Sequence, residues 1–267
     1  MAENKVTILD FKHKKENGGK ITMLTAYDCP MARLIDSAGI DAVLVGDSVG
    51  MVVLGYDSTV RVTMEEMIHH CKAVRRGVTR AFLIGDMPFM SYQVSDEDAV
   101  RNAGRFVKEA GCEAVKVEGG REVSSRVSAI IDAGIPVLGH IGLTPQTASK
   151  LGGYRVQGRS AESAGRLIDD AAVLEKAGCF ALVLECVPAS LAGKITGNAG
   201  IPTIGIGAGR HCDGQVLVTH DIIGYFDKFI PKFVKQYAKI SGTILEAVRD
   251  FKNETESGSF PGDEHSF

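Results

Sequence analysis

The chain has 267 residues, 45% hydrophobic and 24% charged, which supplies enough apolar material for one large core. Its 30 Lys and Arg against 33 Asp and Glu leave a net charge of -3, which excludes the positive field that nucleic acid or an anionic membrane would demand. No window reaches the roughly 18 uninterrupted apolar residues of a membrane helix, and the opening "MAENKVTILDFKHKKENGGK" lacks the apolar centre of a signal peptide, so a cytoplasmic protein is expected.

Residues 7–18 (TILDFKHKKENG) have helical spacing and are expected to cap one end of the fold. A short apolar run, a polar or Gly-rich break and a longer helical stretch then recur. Strands are predicted at 21–27 (ITMLTAY), 42–47 (AVLVGD), 82–86 (FLIGD), 114–120 (AVKVEGG), 137–143 (VLGHIGL), 181–186 (ALVLEC), 203–209 (TIGIGAG) and 216–221 (VLVTHD). Helices are predicted at 63–77, 95–111, 122–134 and 161–178, several opening on a capping residue and closing on Gly. Residues 231–251 read as one or two closing helices, and 253–267 (NETESGSFPGDEHSF) as a polar tail.

Strands alternating with helices over about 250 residues fit a closed parallel (β/α)8 TIM barrel better than an open doubly wound sheet, which remains the alternative. The expectation is one domain over residues 1–267, with 1–19 as an N-terminal cap. The six scattered cysteines form no C-x-x-C pair and read as reduced, mostly buried thiols.

Several strands end on an acid. In such a barrel, active groups gather at the carboxyl ends of the strands. Side-chain alternation places Asp47 on the face of Val43 and Val45, and Asp86 on that of Phe82 and Ile84. Lys116 and Glu118 share the face of Ala114, and Glu185 that of Ala181 and Val183. Carboxylates gathered in one mouth would repel one another without a cation. Acids with no His or Cys pairing favour a hard ion that keeps waters, hence Mg²⁺ over Zn²⁺. Each acid taken alone also fits a helix cap or an ion pair. Ser48 fits either a turn cap or a hydrogen bond to a substrate carboxylate.

His140 ends another strand and suits substrate contact or a structural hydrogen bond equally. His69 and His70 lie mid-helix and read as surface or core. "GIGAG" at 205–209 does not complete a phosphate-binding G-x-G-x-x-G and reads as a tight strand exit. Residues 151–160 (LGGYRVQGRS) form a long Gly-rich loop, either a lid or a plain connection.

The segments "ITMLTAYD", "VLVGDSVGMVVLGYDST", "DMPFMSY", "VKVEGG", "GHIGLTPQ", "GGYRVQGR", "LVLECVP" and the terminal "PGDEHSF" resemble, in order, the signatures of the ketopantoate hydroxymethyltransferase family. The resemblance implies a Mg²⁺-dependent barrel enzyme of pantothenate biosynthesis, assembled as a homodecamer. Such an enzyme moves a hydroxymethyl group from 5,10-methylenetetrahydrofolate to 3-methyl-2-oxobutanoate, giving 2-dehydropantoate.

Position by position, the resemblance makes Asp47, Asp86 and Glu118 metal-associated acids. It makes Asp47, Ser48, Asp86 and Lys116 the holders of the oxo acid, and Glu185 the proton acceptor. Whether Glu185 takes the C3 proton directly, through water or through a folate nitrogen stays open. Residues 210–215 (RHCDGQ) depart from the family's pattern, which leaves folate contacts there unassigned. A Mg²⁺-dependent 2-oxo-acid lyase or mutase of the isocitrate lyase and phosphoenolpyruvate mutase type is the second enzyme reading, although the chain has no catalytic-loop Cys of the K-K-C-G-H kind. A non-catalytic barrel that binds a metal is the third.

Overall fold

The computed structural model describes residues 5–150, 152–226 and 229–267. Residues 1–4 of the expected cap and Leu151 of the expected loop lie outside them. The strands β1 (Ile21–Thr25), β2 (Ala42–Val45), β3 (Phe82–Asp86), β4 (Ala114–Glu118), β5 (Val137–Gly142), β6 (Ala181–Glu185), β7 (Thr203–Ile206) and β8 (Gly214–Leu217) pair in parallel in sequence order, and β8 closes onto β1. The closed barrel is the architecture expected, and the open sheet is ruled out.

The α-helices are α1 (Ile8–Glu16), α2 (Cys29–Ser37), α3 (Val49–Val52), α4 (Met64–Arg75), α5 (Asp96–Ala110), α6 (Ser124–Asp132), α7 (Ala161–Lys176), α8 (Ala189–Asn198), α9 (Thr219–Ile222) and α10 (Ile240–Ser257). Their starts follow local chemistry. Asp28 caps α2 by accepting from the Met31 N–H, with Pro30 in the first turn. Thr63 and Glu66 exchange reciprocal bonds at the start of α4. Gly111, at φ +69°, ends α5 in the left-handed region.

Alternation along the strands sorts their apolar residues into two layers. Ile21, Met23, Leu44, Phe82, Ile84, Leu138, Val183 and Ile204 fill the barrel, whereas Val43, Val45, Leu83, Val115, Val117 and Leu182 pack with the helix residues outside it. Gly85 faces outward, and a Cβ there would lie 2.3 Å from Phe106 Cδ1, so this position admits no side chain if α5 is to pack as closely as it does.

The N-terminal helix caps the barrel as expected. Phe11 of α1, 1% exposed, meets Phe82 at the start of β3 and Phe180 just before β6 edge-on, with ring centroids 5.7 and 5.5 Å apart. Acids fasten this same end. Asp36 accepts from the backbone N–H groups of Thr79, Arg80 and Ala81 and from the Thr79 hydroxyl. Asp41 accepts from Thr22 and Lys14, and Asp213 from Thr203 and Lys15. These bonds tie the end of α2 to the start of β3, the start of β2 to β1 and the start of β8 to β7, and, through Lys14 and Lys15, join α1 to this end.

By its contacts the chain divides into two compact units, Met1–Val218 and Thr219–Phe267. In the second unit the expected polar tail is partly helical. The helix α10 starts at Ile240, later than expected, and continues to Ser257, where Gly258 at φ +74° ends it. Phe251 and Phe260 then stack edge-on with centroids 5.7 Å apart. Among the described residues no helix is long and apolar enough to cross a membrane, and all six cysteines are free thiols.

Candidate active site

The strand-end acids converge at the carboxyl mouth of the barrel. The parallel register sets Asp86 of β3 opposite Lys116 of β4, and Glu118 opposite His140 of β5. Alternation accounts for Asp86, Lys116, Glu118 and Glu185, which follow interior residues on their own strands, as expected. It does not account for Asp47. Interior positions of β2 are Ala42 and Leu44, and Val43 and Val45 face the helices. The shared face expected for Val43, Val45 and Asp47 is therefore incorrect. The strand stops at Val45, and the turn that follows swings Asp47 inward, where its backbone N–H donates to Asp86 Oδ2 at 3.1 Å.

Lys116 Nζ lies 2.6 Å from Asp86 Oδ1 and 3.3 Å from Glu118 Oε1. Asp47, Asp86, Lys116, Glu118 and His140 are each no more than 4% exposed. His140 stands between two acids, with Nδ1 3.4 Å from Glu118 Oε1 and Nε2 3.2 Å from Glu185 Oε2. Both approaches are off-axis for a ring N–H, so they are charge contacts and not aligned hydrogen bonds. His140 thus lies inside the acid cluster.

Burial dominates the electrostatics. It pushes the Asp47 carboxyl well above the usual carboxylate range, and the charges of Asp86 and Glu118 push it further. Asp86 is raised too, because burial outweighs the help of Lys116. Burial opposes the charge on Lys116, but Asp86, Glu118 and Asp47 together hold its ammonium protonated beyond the ordinary lysine range. For Glu118, Lys116 and His140 overcome burial and bring the carboxyl down to about 2. Burial and Lys116 oppose charge on His140, and its close contacts with the Glu118 and Glu185 carboxylates reverse them and lift it to about 9.

Glu185 ends β6 with its side chain 15% exposed, against 2% for Glu118 and Asp86, which makes it the most accessible acid of the group. The next residue, Cys186, adopts φ +48°, a conformation a non-glycine side chain rarely takes, and turns the chain sharply away. Ser48 is half-buried, and its Oγ lies 2.8 Å from the Tyr27 hydroxyl. A Cβ on Gly46 would come within 2.8 Å of that Oγ, which explains a glycine at the turn.

Two buried residues that the sequence reading missed brace the acids. Gln146 Nε2 donates to Asp47 Oδ2 at 3.0 Å, and the Gln146 backbone N–H donates to Glu118 Oε2 at 3.1 Å. Tyr92 places its hydroxyl 2.8 Å from Gln146 Oε1 and 3.0 Å from the Glu118 carbonyl. The available signal was a polar Gln and a Tyr inside apolar loop segments, "GLTPQ" and "DMPFMSY".

On the Gly-rich loop, Tyr154 is pushed up first by partial burial and then by the charges of Asp47, Glu185 and Glu118, so it lies within electrostatic reach of the cluster. A cleft of about 160 Å³ lies beside the acids and not over them, between the ends of β4 and β5 and helix α7, walled by Gly119, Gly120, Gly142 and Gly158 with Asp170 at its side.

Among the described residues no three acid, His or Cys groups stand as a ready-made metal cage.

A profile of the ketopantoate hydroxymethyltransferase family matches residues 5–263. A 3-methyl-2-oxobutanoate hydroxymethyltransferase from Heliobacterium modesticaldum is 58% identical over 98% of this chain and 95% of its own length. Another, from Moorella thermoacetica, is 58% identical over 99% and 98%. Among solved structures, a phosphonopyruvate hydrolase complexed with oxalate and Mg²⁺ superposes with a TM-score of 0.63 at 12% identity, covering 97% of this chain and 93% of that one. A 2,3-dimethylmalate lyase of the PEP mutase/isocitrate lyase superfamily superposes with a TM-score of 0.59 at 15% identity, covering 97% and 91%. These structures share the fold. With the family profile spanning nearly its whole length and close relatives matched end to end, the chain belongs to the ketopantoate hydroxymethyltransferase family.

Proposed function

We propose that this enzyme transfers a hydroxymethyl group from 5,10-methylenetetrahydrofolate to 3-methyl-2-oxobutanoate, forming 2-dehydropantoate for pantothenate biosynthesis. The observation that carries the reading is the buried cluster of Asp47, Asp86, Lys116 and Glu118, with the more accessible Glu185 at its edge.

The donor chemistry fits Mg²⁺. Asp47 and Asp86 offer hard oxygens, and burial and mutual repulsion leave their charge poorly compensated by protein groups alone. Asp47 and Asp86 would hold the ion, with Glu118 close by. When bound, the ion supplies Lewis-acid stabilisation of negative charge on the keto oxygen of the oxo acid.

The chain's own groups do the rest. The Ser48 hydroxyl, 2.8 Å from that of Tyr27, donates to the substrate carboxylate. Lys116 stays protonated and adds a fixed positive charge to the mouth, where negative charge develops. Glu185 accepts the C3 proton at a carboxylate oxygen. His140, lifted to about 9, stays cationic at neutral pH and holds that carboxylate in place from 3.2 Å. The same reading includes assembly as a homodecamer, which the family resemblance implies, and a cytoplasmic location, which the sequence leads one to expect.

The test is product formation. With 3-methyl-2-oxobutanoate, methylenetetrahydrofolate and Mg²⁺, mass spectrometry should detect 2-dehydropantoate and tetrahydrofolate in equal amounts. Cleavage of the oxo acid without folate consumption would replace this reading with the lyase one.

A further inference from the structure

Gln146 sits in the 3-10 turn Pro145–Thr147 that follows β5, and is 3% exposed. Its side-chain amide is fully engaged. Nε2 donates to Asp47 Oδ2 at 3.0 Å and to the Met87 carbonyl at 2.9 Å, while Oε1 lies 2.8 Å from the Tyr92 hydroxyl. A carboxamide has two N–H donors and one acceptor oxygen, and this partner set permits one orientation of the group.

Tyr92, 1% exposed, accepts from the Glu118 backbone N–H at 3.2 Å and shares its one hydroxyl proton between Gln146 Oε1 and the Glu118 carbonyl. The Gln146 backbone N–H closes the ring on Glu118 Oε2 at 3.1 Å. Thus two neutral side chains from loops link an acid after β2 to an acid ending β4. Glu118 is held at its backbone and at Oε2, which leaves Oε1 toward Lys116 and His140. Asp47 is held at Oδ2. Its Oδ1 makes no hydrogen bond to the protein among the described residues, and it is the oxygen left for an incoming ligand.

We propose that Tyr92 and Gln146 are positioning residues that fix the rotation of Asp47 and Glu118 for the divalent ion and the oxo acid, an inference that rests on the metal-holding role proposed for Asp47 and Asp86. A residue with only a packing role would move stability without moving metal affinity. Outer partners of metal ligands act on affinity because they set the direction of the donor lone pairs.

The test uses the full-length protein, with Mn²⁺ as the probe, titrated by the loss of the free-ion electron paramagnetic resonance signal, alongside steady-state kinetics and thermal melting. Gln146→Met keeps the side-chain length and removes both the donor and the acceptor. It should weaken Mn²⁺ binding by about 10–100-fold and raise KM for the oxo acid more than it lowers kcat. Tyr92→Phe should act in the same direction and less strongly. The double variant should lose less than the product of the two single losses, because the residues act as one unit.

A folded Gln146→Met protein that binds Mn²⁺ like the wild type overturns the inference. If that variant does not fold, wild-type Mn²⁺ affinity in Tyr92→Phe overturns it. Wild-type protein that binds no Mn²⁺ overturns the metal reading, and this inference falls with it. Binding in the wild type that survives in the variants removes the inference alone.

Discussion

Lys116 and Asp86 stand directly opposite each other on adjacent strands and form a 2.6 Å ion pair, with side chains 5% and 2% exposed. Removing one partner of such a pair leaves an uncompensated buried charge, which typically costs about 3–5 kcal/mol. Lys116→Met should therefore lower the melting temperature and abolish turnover. Lys116→Met combined with Asp86→Asn should regain part of the stability and none of the activity. Calorimetry and assay of both variants check this. A single variant as stable as the wild type would mean that the charge is compensated elsewhere.

Asp36 gives a pH-dependent expectation far from the mouth. Burial raises its carboxyl, but bonds from Ala81, Thr79 and Arg80 overcome that and hold it below the usual value of 3.8. A folded-state pKa below the unfolded one contributes stability that is fully present above the unfolded value and is lost as pH falls through the folded one. Asp36→Asn should cost about 2–3 kcal/mol near neutrality, with the difference from wild type shrinking below pH 4. Urea denaturation across pH 2–7 measures it, and a pH-independent difference would contradict the assignment.

Phe11 closes the end of the barrel away from the acids. Phe11→Ala opens a cavity between Phe82 and Phe180, at an expected cost of about 3–5 kcal/mol. The kinetic constants of the protein that remains folded should not change. Denaturant titration and assay below the transition separate the two effects, and a change in KM with intact stability would count against a purely structural role for α1.

Metal binding should stabilise the fold, since the crowded acids gain a counter-ion in the native state alone. Mg²⁺ at a hundred times its Kd should add about 2.7 kcal/mol, and chelation should remove both that increment and the activity. Melting curves with Mg²⁺ and with excess EDTA measure it. Equal curves, with activity intact in EDTA, would contradict the metal reading.

The barrel was legible because apolar runs alternate regularly with capped helices. Asp86, Lys116, Glu118 and Glu185 were legible because they continue the interior alternation of their own strands. Asp47 reaches the same mouth through a turn, where alternation no longer applies, so its inward direction was right and the reason for it was not. Tyr92 and Gln146 come from loops, which carry no periodic signal, and their importance lies in partners distant in sequence. The end of α10 is not legible in the sequence, because Asn253, Glu254 and Thr255 look like tail residues, whereas a helix with an exposed face takes polar residues readily.

In the proposed reaction the acid cluster lets Glu185 remove the C3 proton of the oxo acid. The most direct measurement incubates wild-type enzyme with Mg²⁺ and 3-methyl-2-oxobutanoate in D₂O, without folate, and follows the C3 hydrogen by proton NMR. The expected result is exchange by the wild type that disappears in Glu185→Gln and on chelation. Exchange that persists at the wild-type rate in folded Glu185→Gln would contradict the account.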